Sequence, residues 1–446
     1  MPSDDASESP SESPSESPSA SASASASESA SPPAAPPATG YRALLRNREF
    51  AGLYVGFTLT VAAGTLSGFA LGTLVNDRTG SPFLTAVSMY GATFATVLGA
   101  LTLMSVADGK RPRRTLVTLQ CASLAGVAAQ AIPGLPLAAR FGLLLVLGFF
   151  QSLGTGARMG LLAEVVPAPA YALARSLMNI TSGGTAVLGF AVGALLLRYL
   201  SPHEVFVVAA ILTGLGLVAV ATTVREYSTR PADPGRPGAR SDARPGPRSG
   251  LRRTWATNIE LFSHPGRRAL LLNLWVPNGL IVGCEALFLS YDPEHAGVLL
   301  AAGSAGMLLG DLTVGRLLTA DRRRRCAFAL RLLLAVPYLL FAASPPTWVA
   351  AVAVFVAGAG FAATLPLQEQ LLALTLDPVH GQVQGVESAG RMTWQGIGAA
   401  LAGGVALYLG PGPTITALAA LSITVTVLSR PFVARARSTR AEAVIE

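Results

Sequence analysis

Few side chains in this sequence could do chemistry, and most of those interrupt apolar runs. Glu285 is the clearest. Trp275, Asn278, Val282 and Glu285 lie at i, i+3, i+7 and i+10, so a helix carries them on one face. Pro277 is expected to kink that helix. A carboxyl so placed binds a cation or carries a proton; the alternative is that it reaches interfacial water beside "YDPEH". Gln151, Thr155 and Arg158 lie at i, i+4 and i+7 of another helix, and Glu369 stands between Gln368 and Gln370. Glu387 and Arg391 are four apart and can pair. The densest cluster is "ADGKRPRRTL", where Asp108 precedes Lys110, Arg111, Arg113 and Arg114 between two apolar segments. Asp311 and Arg316 form a sparser counterpart in the second half.

Several chemistries are excluded. The sole lysine follows Gly109, but Met104 holds the first glycine position of a Walker A loop, so the chain does not itself hydrolyse ATP. The four histidines fall in loops or at helix ends. Cys121, Cys284 and Cys326 have no metal-ligand spacing and read as packing residues. No nucleophile, base or metal set is visible, so no enzyme, no cofactor and no metal are expected.

The elements that position these groups follow from composition. Of 446 residues, 51% are hydrophobic and 13% charged, against about a quarter charged in soluble domains. Mean hydropathy is +0.49. Uncharged stretches such as Phe50–Asn76, Ser81–Ala107 and Leu332–Gln368 match the roughly 20 residues that span a bilayer core. The reading is an all-α membrane protein with twelve transmembrane helices in two six-helix bundles. They are expected near 50–75, 82–106, 115–134, 138–160, 173–198, 204–223, 269–290, 296–318, 326–343, 347–372, 384–409 and 412–429. Residues 1–40, with six acids and no base, read as a disordered Ser/Pro/Glu-rich tail. The bundles are read as 41–223 and 269–435. Between them 224–268, rich in Pro, Gly and Arg, reads as a flexible linker, and 436–446 as a second tail.

Arginine placement fixes the threading. With the N-terminus in the cytoplasm, the clusters 110–114, 225–268, 316–331 and 430–440 all fall inside, and only Arg78, Arg140 and Arg198 fall outside. Both termini are then cytoplasmic. The halves also look repeated. Each second helix ends in a charge cluster, and the fourth helices carry Gly148-Phe149 and Gly360-Phe361. A parallel repeat implies a central path between the halves.

"MSVADGKRPRR" resembles the signature of the major facilitator superfamily between helices 2 and 3. Ala107, Asp108, Pro112, Arg113 and Arg114 fit; Met104 replaces the leading glycine, and one residue is inserted before the proline. "GTGARMGLLAEVVPAPAYALARSLMN" is similar to the helix 4–5 loop of the bacterial drug-exporter-like branch. The resemblance covers about 50–435 and implies a transporter of the cytoplasmic membrane working by alternating access. Asp108, Arg111, Arg113, Arg114 and Arg158, with Asp311, Arg316, Glu387 and Arg391, are expected on the cytoplasmic latch. Asp108 would cap helix 11 near Gly385, and Asp311 would face helix 5. Glu285, Asn278, Trp275, Gln151 and Glu369 are expected in the cavity. Proton-coupled exporters of this type carry an arginine in a helix 4 pattern like Arg-x-x-Gln-Gly; here Gln151 fits but Gly148 takes the arginine's place.

The apolar lining suits an amphipathic or hydrophobic molecule, moved outward on the proton gradient. An uptake symporter and a non-transporting scaffold are the alternatives. The expected partners are a small-molecule substrate and the lipid bilayer, with no nucleic acid, and the protein acts as a monomer.

Overall fold

The computed structural model describes residues 41–107, 112–226, 259–375 and 379–443. Asp108, Arg111, the 1–40 tail and residues 227–258 of the linker lie outside the described residues. The fold is a succession of long helices. The first half carries α1 (Arg48–Thr79), α2 (Pro82–Tyr90 continued by Ala92–Ala107), α3 (Pro112–Gln130), α4 (Leu137–Val165), α5 (Ala168–Tyr199) and α6 (Pro202–Thr223). The second carries α7 (Pro265–Ala286, extended by Phe288–Tyr291), α8 (Ala296–Leu317), α9 (Ala320–Leu333 then a 3-10 turn, Val336–Ala343), α10 (Thr347–Gly360 through Thr364–Ala373), α11 (His380–Leu409) and α12 (Pro411–Ala443). Among the described residues ten helices are long and apolar enough to cross a membrane; α3 and α11 are the more polar two.

Helix ends follow local capping rather than charge. Asn47 accepts from the Glu49 and Phe50 amides at the start of α1, and Ser201 and Glu204 form a reciprocal capping box at α6. His264 caps α7 through Nδ1, so α7 begins at Pro265, and residues 259–263 are also helical. The linker read as 224–268 is therefore shorter at its far end. Likewise α9 starts at Ala320 and includes Arg322–Arg325, and α12 runs to Ala443, through the segment read as a tail. A charged side chain that projects into water leaves the backbone ladder intact, so hydropathy cuts a helix where the backbone does not.

Outward faces are apolar. On α6, Val207, Ile211, Leu215 and Val218 form one stripe, each about half exposed. A water-soluble fold does not leave such a continuous face bare; lipid is its solvent.

Inside, polar groups are satisfied where the helical ladder is broken. Pro277 has no N–H, so the carbonyl of Asn273, four residues earlier, loses its donor. The buried Arg331 of α9 reaches across, and its Nη2 donates to that carbonyl. Ser429 and Asn273 pair at 2.6 Å, and Ser422 Oγ donates to the Pro277 carbonyl at 3.2 Å. Thus α9 and α12 staple α7 at Pro277. Arg140 does the same at the α3–α4 corner. Fully buried, it donates to the carbonyls of Gln130 (2.6 Å), Ile132 (3.0 Å) and Leu135 (3.3 Å). Its side chain is an internal cap for the end of α3.

The same geometry yields a double-mutant test. Arg331→Met orphans the Asn273 carbonyl, and the melting temperature in detergent falls by several degrees, equivalent to about 1–3 kcal/mol. Pro277→Ala restores the missing N–H, so Arg331→Met costs measurably less in that background. Equal losses in both backgrounds would contradict the staple.

Candidate functional site: a cleft between the two halves

The helices place two opposite ends of the molecule in contrast. The starts of α1, α5, α7, α9 and α11 share one end with the finish of α8; this is called the basic face. At the other end the halves are in contact. Ser290 of α7 donates to Asn76 Oδ1 of α1 at 3.2 Å. Ala86 of α2 packs with Ala286 of α7 and Ala399 of α11, beside Tyr90. Gly297 at the start of α8 sits so close to Ala194 and Phe190 of α5 that an added Cβ would overlap Ala194.

Toward the basic face α5 and α8 diverge. A Cβ at Gly183 of α5 would stand 3.2 Å from Leu308 of α8, whereas at Gly315 it would approach only Leu365, at 3.7 Å. The space between is a cleft of about 530 Å³, with Tyr171, Arg175 and Asn179 on α5 facing Leu308, Asp311 and Arg316 on α8, and Leu365 of α10 beside them. That volume lies in the range of small-molecule sites. Tyr171, Arg175 and Asn179 recur at i, i+4 and i+8, one stripe of α5. These three were missed in the sequence; their spacing was the available signal.

The expected site residues divide by where their side chains go. Asp311 and Arg316 line the cleft, and neither makes a hydrogen bond or ion pair with a described residue. Glu285 is buried near the closed end. Tyr338 Oη donates to its Oε1 at 3.4 Å, and the Tyr90 hydroxyl of the other half lies beside the same carboxyl. It therefore sits in the seam between halves rather than in interfacial water. Trp275 and Asn278 do not face an open path. Trp275 donates from Nε1 to the Glu387 carbonyl at 2.9 Å and packs on Gly390, and both residues are buried. That face of α7 is covered by α11, because Gly279 and Gly398 let the two backbones touch. Asn278 Nδ2 has no partner among the described residues.

Glu369, expected in the vestibule, turns instead to Arg323 of α9 at 2.6 Å. Glu387 pairs with Arg391 at 3.1 Å and accepts from Gln368 at 3.0 Å, an ion pair within one half. Gln151 is exposed. Seven residues on, Arg158 is buried with its guanidinium 5.1 Å over the Phe57 ring of α1, not on a described residue of the 108–114 cluster. Arg113 and Arg114 also stay within their half. Arg113 Nη2 donates to the Ala221 carbonyl at the end of α6 (2.7 Å), and both approach Glu226, at 3.5 and 3.6 Å. With the basic face parted, no described arginine of the cluster bridges the halves. The latch position of Asp108 and Arg111 lies outside the described residues.

The sequence profile of the Major Facilitator Superfamily matches residues 50–291. The chain belongs to the Major Facilitator Superfamily. It is a multi-pass membrane transporter, not an enzyme. Its fold is that of solved transporters of low sequence identity. One is a POT family transporter in complex with 5-aminolevulinic acid: TM-score 0.67, 10% identity, covering 89% of this chain and 98% of that one. Another is a mutant of the nucleoside transporter NupG: TM-score 0.66, 13% identity, 86% and 99% covered. A third is the peptide transporter POT in complex with sulfate: TM-score 0.65, 12% identity, 87% and 95% covered. None of the curated proteins matches the chain. The cleft lies between the two halves.

Burial separates the two acids of this end energetically. Glu387→Gln leaves Arg391 without its buried counter-charge and should cost about 3 kcal/mol. Glu369→Gln breaks a more exposed pair and should cost no more than about 1 kcal/mol. Thermal unfolding of the two variants in one detergent checks the order; equal losses would contradict the burial argument.

Proposed function

We propose that the protein is a proton-driven exporter of a small amphipathic or hydrophobic molecule across the cytoplasmic membrane. The observation that carries this is the asymmetry of the interface: closed at one end, parted at the other around a cleft of small-molecule size. Alternating access needs two such states, and this is one of them. The arginine distribution puts the open end in the cytoplasm, where an exporter loads. The helix 4–5 loop sequence supports the drug-exporter-like branch. No cofactor is needed beyond the gradient, and one chain supplies both halves of the path, so a monomer suffices.

Glu285 is the proposed coupling group. It is the carboxyl buried in the seam between halves, and its neighbours Tyr90 and Tyr338 come one from each half. Opening the far end withdraws Tyr90 and exposes the carboxyl to the outside. Asp108 with the Arg111, Arg113 and Arg114 cluster is the proposed first-half latch, engaged when the basic face closes. Gln151 and Arg158, on one face of α4, are the proposed contributions of the first half to the path. A second reading, uptake symport of a charged solute, is favoured by Asp311, Arg175 and Arg316 in the cleft.

Everted vesicles distinguish direction. With the lumen acidified, an exporter accumulates a fluorescent amphipathic dye, and a protonophore abolishes the accumulation. Accumulation only in right-side-out vesicles would establish the uptake reading instead. Glu285→Gln should lower gradient-driven accumulation at least about tenfold, a loss of about 1.4 kcal/mol of coupling, while exchange of labelled for unlabelled dye persists. Unchanged pH dependence in this variant would remove Glu285 from coupling.

A further inference from the structure

We infer that the α5–α8 cleft is a binding site for a small zwitterion with an apolar body, its cationic group on Asp311 and its anionic group on Arg175. This rests on the transporter reading and deepens it by naming the class of cargo.

Three charged side chains line the cleft: Asp311, Arg175 and Arg316. None makes a hydrogen bond or ion pair with a described residue. Two other acids at this end of the second half are engaged: Glu387 by Arg391 and Gln368, and Glu369 by Arg323. Arg391 lies near enough to Asp311 to act on it through space, but its Nε is committed to Glu387. Asp311, half-buried and six residues inside the end of α8, is a group that is costly unless it faces a partner or a water-filled path. Arg175 and Arg316 are exposed near the ends of their helices and edge the same cleft.

The signs decide the ligand. A simple anion would suit the arginines and be repelled by Asp311; a simple cation would suit Asp311 and be repelled by the arginines. A molecule carrying both charges satisfies both helices at once. Asn179, on the Arg175 stripe, offers a neutral donor and acceptor. Ile180, Leu308, Leu312 and Leu365 supply the apolar surface for the ligand's body. A bridging ligand also pulls α5 and α8 together, so occupancy favours the closed basic face.

Equilibrium binding to the purified full-length protein in nanodiscs tests this, with phenylalanine and leucyl-phenylalanine as probes. At least one of the two binds. N-acetylation or C-amidation of that probe weakens it at least about tenfold, the loss of one charge-assisted contact. Asp311→Asn weakens the parent probe by a similar factor but leaves the N-acetylated form unchanged. Arg175→Gln does the same with respect to the amide. Asp311→Glu retains binding, which separates the role from folding. The proposal is overturned if neither probe binds to protein with a normal melting curve. It is also overturned if uncharged forms bind as well as parents, or if the variants alter only conformational equilibrium, the result for a bare latch. The assay reads binding and not flux, so its failure leaves the transport reading to the vesicle measurement.

Discussion

Lipid offers no hydrogen bonds, and this one constraint sorts the side chains of the protein. A polar group inside the bundle must find a partner within the protein or face a wet path. Arg331 finds the carbonyl orphaned by Pro277. Arg140 finds three carbonyls at the end of α3. Glu387 finds Arg391 and Gln368. Asp311, Arg175 and Arg316 find no such direct partner among the described residues, and they are the ones that line the cleft.

The same constraint explains the mechanics. Within the second half, the glycine crossing of α7 and α11 and the staples from α9 and α12 make a stiff body. Between halves the contacts combine small residues such as Ala86, Ala286 and Ala399, larger ones such as Phe69 and Phe190 packed against the core of the second half, one hydrogen bond from Ser290, and the tyrosines around Glu285. In the proposed rocking of the halves, this seam places one titratable group where its exposure changes.

Much of the fold was legible in the sequence, because uncharged runs of membrane-spanning length say where helices lie. Their ends were less legible: hydropathy stops at Arg322–Arg325, but the backbone of α9 does not. Partners at long range were not legible at all. Trp275 and Glu285 read as one face by their spacing, yet Trp275 lies against α11 and Glu285 against Tyr338 and Tyr90, and nothing in a helical period reveals a covering neighbour. Arg331 counted in the basic cluster 316–331, yet its side chain is buried; Pro277, fifty-four positions earlier, holds the reason. The matching Gly-Phe pairs marked a repeat, but their surroundings differ: Gly148 packs on Ala92 of α2, and Gly360 on Leu330 and Leu334 of α9. Of the site, Asp311 and Arg316 were visible as charges in or beside an apolar run, whereas Tyr171, Arg175 and Asn179 were hidden by their place at the start of a helix, where polar residues are ordinary.

The central claim is that two rigid halves close at one end as they part at the other. Distance measurements between spin labels test it directly, with one pair at Ser176 and Gly315 across the cleft mouth and one at Tyr199 and Trp348 at the far end. On shifting the conformational equilibrium by pH, the first distance should shorten while the second lengthens. Both distances moving in the same direction, or a single unchanging distribution at each end, would contradict the account.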